Sequence, residues 1–143
     1  MHWLRLPLLA IIATAAVALP ARSQPQGQAE TRVVERTARG PADKEIRIGA
    51  YVNVQPDCSS GPLPSIRLVG QPTNGKVTVK SAKMKGTNYK QCLALEVPAY
   101  VAFYRSTPGF VGTDVVTLEV KFANGRTETQ KITITIGGPG QSI

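Results

Sequence analysis

The chain is expected to be all-β, a two-sheet antiparallel sandwich of about seven strands. Three observations predict this. Apolar residues recur at every second position, and no segment carries a helical period. Turn formers such as Asn74-Gly75, Pro108-Gly109 and Asn124-Gly125 break the alternation at short intervals. Two distant cysteines, Cys58 and Cys92, follow what reads as an export signal. A closed barrel is the competing architecture, because strand count alone does not separate one curled sheet from two stacked ones.

Residues 1–23 are read as a signal peptide. Met1 to Arg5 form a short positive region, Leu6 to Leu19 an uncharged apolar run, and Ala21, Arg22 and Ser23 a small-residue cleavage site. The competing reading is a membrane anchor, but the run is bracketed by Pro7 and Pro20 and falls short of the roughly 20 residues a span needs. The expected mature chain therefore starts at Gln24, has no transmembrane segment, and is periplasmic or secreted. Its removal of the leader takes Arg5 and Arg22 from a formal net charge of +8, and with them the single histidine, His2, and the single tryptophan, Trp3.

Residues 24–43 are polar and rich in Gln, Arg and Gly, and are read as a flexible leader with a short extra strand around Thr31 to Arg36. The domain is expected at residues 44–137. In its first strand Ile46, Ile48, Ala50, Val52 and Val54 should share the buried face, with Glu45, Arg47, Tyr51 and Asn53 opposite. Ile66 and Leu68 repeat the pattern. Asn74-Gly75 then offers a tight hairpin turn into Val77 and Val79. A further pair is expected from residues 89–97 and 100–105, hinged at Pro98. Val116, Leu118, Val120 and Phe122 should face Ile132, Ile134 and Ile136 across the Asn124-Gly125 turn. Gly137, Gly138, Pro139 and Gly140 end regular structure, leaving residues 138–143 as a flexible tail.

The stretch Gln71-Pro72-Thr73-Asn74-Gly75-Lys76-Val77-Thr78-Val79, the run from Tyr104 through Pro108-Gly109-Phe110-Val111-Gly112-Thr113-Asp114, and the terminal Ile132-Thr133-Ile134-Thr135-Ile136 resemble the bacterial immunoglobulin-like and cadherin-like repeats of secreted and surface proteins. The resemblance implies an immunoglobulin-like sandwich and a corner role for Tyr104, bonding back to a neighbouring turn. It says little about ligand. Such repeats usually come in tandem, whereas this chain holds one copy.

In an oxidising compartment Cys58 and Cys92 are expected to form a structural disulfide. A redox pair would sit as Cys-x-x-Cys at a helix start. Closing so long a loop should stabilise the fold by about 3 to 4 kcal/mol in the chain-entropy model. Neither metal nor cofactor is expected. Glu45, Asp57, Glu96, Asp114, Glu119 and Glu128 are too scattered to supply a calcium cage, and Asp114 reads as a cap at the start of its strand.

Charge is the uneven feature. Lys76, Lys80, Lys83, Lys85 and Lys90 cluster in a stretch without acids, and a basic loop tip is expected around residues 81–88. The functional reading is an anion-binding site for a phosphorylated lipid headgroup, an acidic glycan or another anionic component of the cell envelope. The bland reading is an edge strand protected by lysines. Export argues against nucleic acid, which a basic chain would otherwise suggest. With histidine lost, no Ser-His-Asp arrangement is available, and Glu96 and Glu119 have no sequence reason to act as an acid-base pair. The expectation is a non-catalytic exported binding or structural module acting through its surface, with an anionic envelope component or another envelope protein as its partner; a hydrolase with an unrecognised site is the third alternative.

Overall fold

In a computed structural model, residues 31–138 are described; the expected signal peptide, the first part of the leader and residues 139–143 of the tail lie outside them. Seven strands form two sheets: β1 (Thr31–Pro41), β2 (Glu45–Val52), β3 (Ser65–Gly70), β4 (Gly75–Met84), β5 (Val97–Ser106), β6 (Gly112–Lys121) and β7 (Thr127–Gly137). One sheet runs β1-β7-β6-β3 and the other β2-β5-β4. Their facing sides enclose a core of Ile46, Ile48 and Tyr51 from β2, Ala102 and Tyr104 from β5, Val116, Leu118 and Val120 from β6, and Ile132, Ile134 and Ile136 from β7. The fold is thus a two-sheet sandwich, and β6 and β7 bury the apolar positions that alternation assigned to them.

Four elements depart from the sequence reading. The leader ends sooner than expected, because residues 31–41 form a full edge strand that pairs parallel to β7, from Thr31↔Thr127 to Pro41↔Gly137. The domain therefore begins before residue 44. This strand lacks an apolar alternation because most of it is exposed, and its one fully buried residue is Gly40, where a Cβ would lie 2.6 Å from Ile46 Cγ1. All other strand pairs are antiparallel.

Within β2 the register with β5 shifts between Arg47 and Gly49. A bulge adds one residue, so every later side chain changes face. Tyr51 consequently points into the core and Ala50 outward, the reverse of the alternation drawn through Ile46 and Ile48.

Asn74-Gly75 is not a hairpin turn. β3 and β4 belong to different sheets, and Gly75 is absent from the residues with positive φ. Glycine is required for another reason: a Cβ there would lie 2.5 Å from two ring atoms of Tyr104 and 2.6 Å from the Arg105 carbonyl. The second hairpin signal holds. Gly125 has φ 85, and Phe122 and Arg126 close the β6–β7 turn with a 2.9 Å backbone bond.

Residues 89–97 do not form a strand. Lys90–Cys92 is a short 3-10 turn, and β5 is one strand running through Pro98. That proline lies just past the Val52↔Ala99 pair, where β2 has ended, near the start of its strand and so in a position a proline tolerates.

Candidate functional site

The topology sorts the connections to two ends. β2 and β4 finish, and β3, β5 and β7 begin, at the same end, which carries the connections 53–64, 85–96 and 122–126. The first two are the longest in the described domain. The Cys58–Cys92 disulfide joins them with a Cα–Cα distance of 5.3 Å, and Gln91 Nε2 adds a 3.0 Å bond to the Pro56 carbonyl across the same gap.

Local chemistry shapes each loop. In the first, Cys58 adopts φ 66, a left-handed conformation unusual for a residue with a Cβ. The turn is closed by Cys58 N–H to the Gln55 carbonyl and Gln55 N–H to the Ser59 carbonyl, both 2.9 Å. The Ser59 hydroxyl donates to Asp57 Oδ1 at 2.6 Å and the Ser59 N–H at 3.0 Å, and these bonds hold the Asp57 carboxyl below its ordinary pKa. Asn53 Nδ2 donates to the Pro62 carbonyl at 2.8 Å and spans the neck of the loop. In the second loop Tyr89 N–H bonds Thr87 Oγ1 at 3.0 Å, and the 3-10 turn brings Cys92 N–H to the Tyr89 carbonyl at 2.9 Å. Between the loops lies a concavity of about 400 Å³. Its floor is Ala50, Val52 and Met84, the register partners of Val101, Ala99 and Val97 on the outer face of the β2-β5-β4 sheet; residues 86–89 form its wall.

The five lysines do not form one basic tip. β4 continues to Met84, so Lys83 stands on a strand where a loop was expected. Alternation puts Lys76 and Lys80 on the outer face and Lys83 on the other. Lys80 is occupied: its Nζ lies 2.7 and 2.8 Å from the two Glu45 oxygens and 5.0 Å from the centroid of Phe103. Lys76, Lys83, Lys85 and Lys90 are exposed, and no carboxylate among the described residues lies within ion-pair distance of them. Lys83, Lys85 and Lys90 flank the disulfide-bearing end, while Lys76 stands at the opposite end of β4.

Two polar groupings appear in the structure. At the far end, Asp114 accepts bonds from the Thr73 N–H (3.0 Å), the Asn74 N–H (2.8 Å), the Val115 N–H (2.9 Å) and the Tyr104 hydroxyl (2.8 Å). Burial alone would raise the Asp114 pKa, but the four donors outweigh it and lower the value. The Tyr104 phenol is pushed up, first by burial and then by the Asp114 carboxylate. Its oxygen also lies 3.1 Å from the Asn74 carbonyl, so Tyr104 bonds back to the neighbouring turn as expected, and Asp114 caps that turn as well as its own strand.

The second grouping was missed by sequence reasoning. Tyr51 donates to Gln130 Oε1 at 2.7 Å, Gln130 Nε2 donates to Glu128 Oε2 at 2.8 Å, and Arg126 approaches Glu128 at 3.5 Å. The Tyr51 pKa is raised by burial, against a lowering influence of Arg36. The signal was present in the chain: Glu128 and Gln130 continue the inward parity of Ile132, Ile134 and Ile136. Both groupings are internally satisfied and read as structural. Glu119 is paired with Arg67 at 2.9 Å on the outside of the other sheet, and Glu96 stands exposed before β5.

The chain matches no protein-family model and no curated protein. Among the described residues no three of His, Cys, Asp and Glu come together, and no helix is long and apolar enough to cross a membrane.

Proposed function

We propose that the chain is an exported, non-catalytic binding module that recognises an anionic component of the cell envelope through its disulfide-bearing loop end. One observation carries this reading: Cys58–Cys92 fixes the two longest connections together, and Lys83, Lys85 and Lys90 beside them carry unpaired charge. A rigid loop end loses little conformational freedom on binding, which is what a recognition surface on a sandwich requires. Free ammonium groups supply a field for an anion, whereas Lys80, held by Glu45, does not. The disulfide itself suits the oxidising compartment that the N-terminal signal implies. An immunoglobulin-like relationship accords with the two-sheet architecture and with the Tyr104 corner.

The test is salt-dependent retention of the exported protein on envelope fractions of its own cell. The triple replacement Lys83→Gln, Lys85→Gln and Lys90→Gln should release it at lower salt, while Lys76→Gln with Lys131→Gln, both away from that end, should not. Equal behaviour of the two variants would reject the assignment of the loop end.

A further inference from the structure

We propose that residues 90–96 form a membrane-docking tip: Leu93 and Leu95 enter the interfacial layer of an anionic lipid bilayer while Lys83, Lys85 and Lys90 meet its headgroups. This rests on the loop end being the binding surface and names the ligand class.

Leu93 is 57% and Leu95 47% exposed, two large aliphatic side chains separated only by Ala94 in the segment that follows the disulfide-bonded Cys92. Among the described residues the other large exposed apolar residues are valines: Val33, Val69, Val79 and Val115 on strands, and Val111 at the opposite end. The turn is built to present the leucines. Cys92, immediately before them, is 2% exposed and anchored through the disulfide. Leu93 N–H reaches the Lys90 carbonyl at 3.4 Å and Leu95 N–H the Cys92 carbonyl at 3.1 Å. The Cys92, Leu93 and Leu95 N–H groups therefore have internal partners and are not stranded when water is withdrawn.

Charge selects the occupant. A second copy meeting this tip face to face would bring Lys85 and Lys90 against their own counterparts, an unfavourable like-charge contact. An anionic bilayer satisfies both features, offering hydrocarbon to the leucines and phosphates to the ammonium groups. Glu96 is the one acid in the segment and stands at its base, next to Val97.

The exported full chain, wild type and Leu93→Trp, is floated with vesicles of phosphatidylcholine alone and of phosphatidylcholine mixed with phosphatidylglycerol. Binding should require the anionic lipid. On mixing with the anionic vesicles the Leu93→Trp emission should shift to the blue and be quenched by lipids brominated on the acyl chain, relative to the same variant with phosphatidylcholine alone. Each Lys→Gln change should weaken binding about fivefold. Leu93→Ser with Leu95→Ser should weaken it at least about tenfold, with an unchanged thermal melt showing that the fold is intact. Binding insensitive to the serine pair and without quenching would show headgroup or free-phosphate recognition only, and overturn the insertion. Retention on envelope fractions without vesicle binding would mean a non-lipid partner, overturning this inference while leaving the loop end as the site. Loss of both would remove the underlying reading as well. A sedimentation mass that falls in the serine pair would identify a second copy as the occupant and likewise overturn it.

Discussion

Replacing Asp114 tests what holds the two sheets in register at the end away from the disulfide. Its carboxylate is the meeting point of four donors, the N–H groups of Thr73, Asn74 and Val115 and the hydroxyl of Tyr104, at 2.8 to 3.0 Å. Asp114 and Tyr104 are 4% and 0% exposed, so water cannot easily substitute. In Asp114→Asn one carbonyl oxygen can keep two of the N–H bonds. The amide nitrogen then faces the Asn74 N–H, a donor against a donor, and the remaining bonds lose their charge. With charge-assisted bonds worth about 1.5 to 3 kcal/mol each and a stranded donor costing about 1 to 3 kcal/mol, the net loss should be about 2 to 4 kcal/mol. Urea unfolding should show a lower midpoint at constant slope.

The pH dependence gives an independent check. The folded pKa of Asp114 is depressed, so its contribution is complete above the unfolded value of about 3.9 and is lost as pH falls through the folded one. The stability gap between wild type and Asp114→Asn should therefore narrow from about pH 5 towards about pH 2. A gap below about 0.5 kcal/mol at neutral pH, or one that does not change on acidification, would refute the reasoning.

Three further outcomes follow from other sites. Gly75→Ala places a Cβ 2.5 Å from the Tyr104 ring and 2.6 Å from the Arg105 carbonyl, and the overpacking should cost about 1 to 3 kcal/mol or more, read as a reduced melting temperature. Cys58→Ala with Cys92→Ala should destabilise by about 3 to 4 kcal/mol and also weaken envelope retention, since the loops are no longer joined; unchanged retention would separate the staple from recognition. Tyr51 and Tyr104 both have raised pKa values, chiefly through burial. Their contribution is whole below the unfolded tyrosine value of about 10 and falls as pH rises beyond it, so ultraviolet titration should show two phenols resisting ionisation until alkaline unfolding exposes them.

Legibility tracked how strongly a feature depends on local pattern. β6 and β7 could be read directly, because both bury one face and place Val, Leu or Ile at every second position along it, at 116, 118 and 120 and at 132, 134 and 136. The Asn124-Gly125 turn was equally plain, since a positive φ is a local demand. β2 was read only up to its bulge: the extra residue near Gly49 is set by pairing with β5, and one inserted position reverses Tyr51 and Ala50. β1 was largely hidden, because an exposed edge strand takes its stability from backbone bonds to β7 rather than from an apolar stripe of its own. Gly75 carried the appearance of a hairpin turn but answers to the ring of Tyr104, far along the chain. The lysines were visible as a cluster, yet their division between a paired Lys80 and unpaired neighbours depends on Glu45 and Phe103 from other strands.

By itself, then, the order of residues determined an all-β chain with an alternating apolar interior and two cysteines available for pairing, because side-chain period and turn chemistry act over a few neighbours. Tertiary structure alone decided which strands share a sheet, which way Tyr51 faces, and that the disulfide gathers two distant loops beside exposed leucines and free lysines. Those outcomes arise from contacts between segments far apart in the chain, and no local pattern encodes the distance across which they meet.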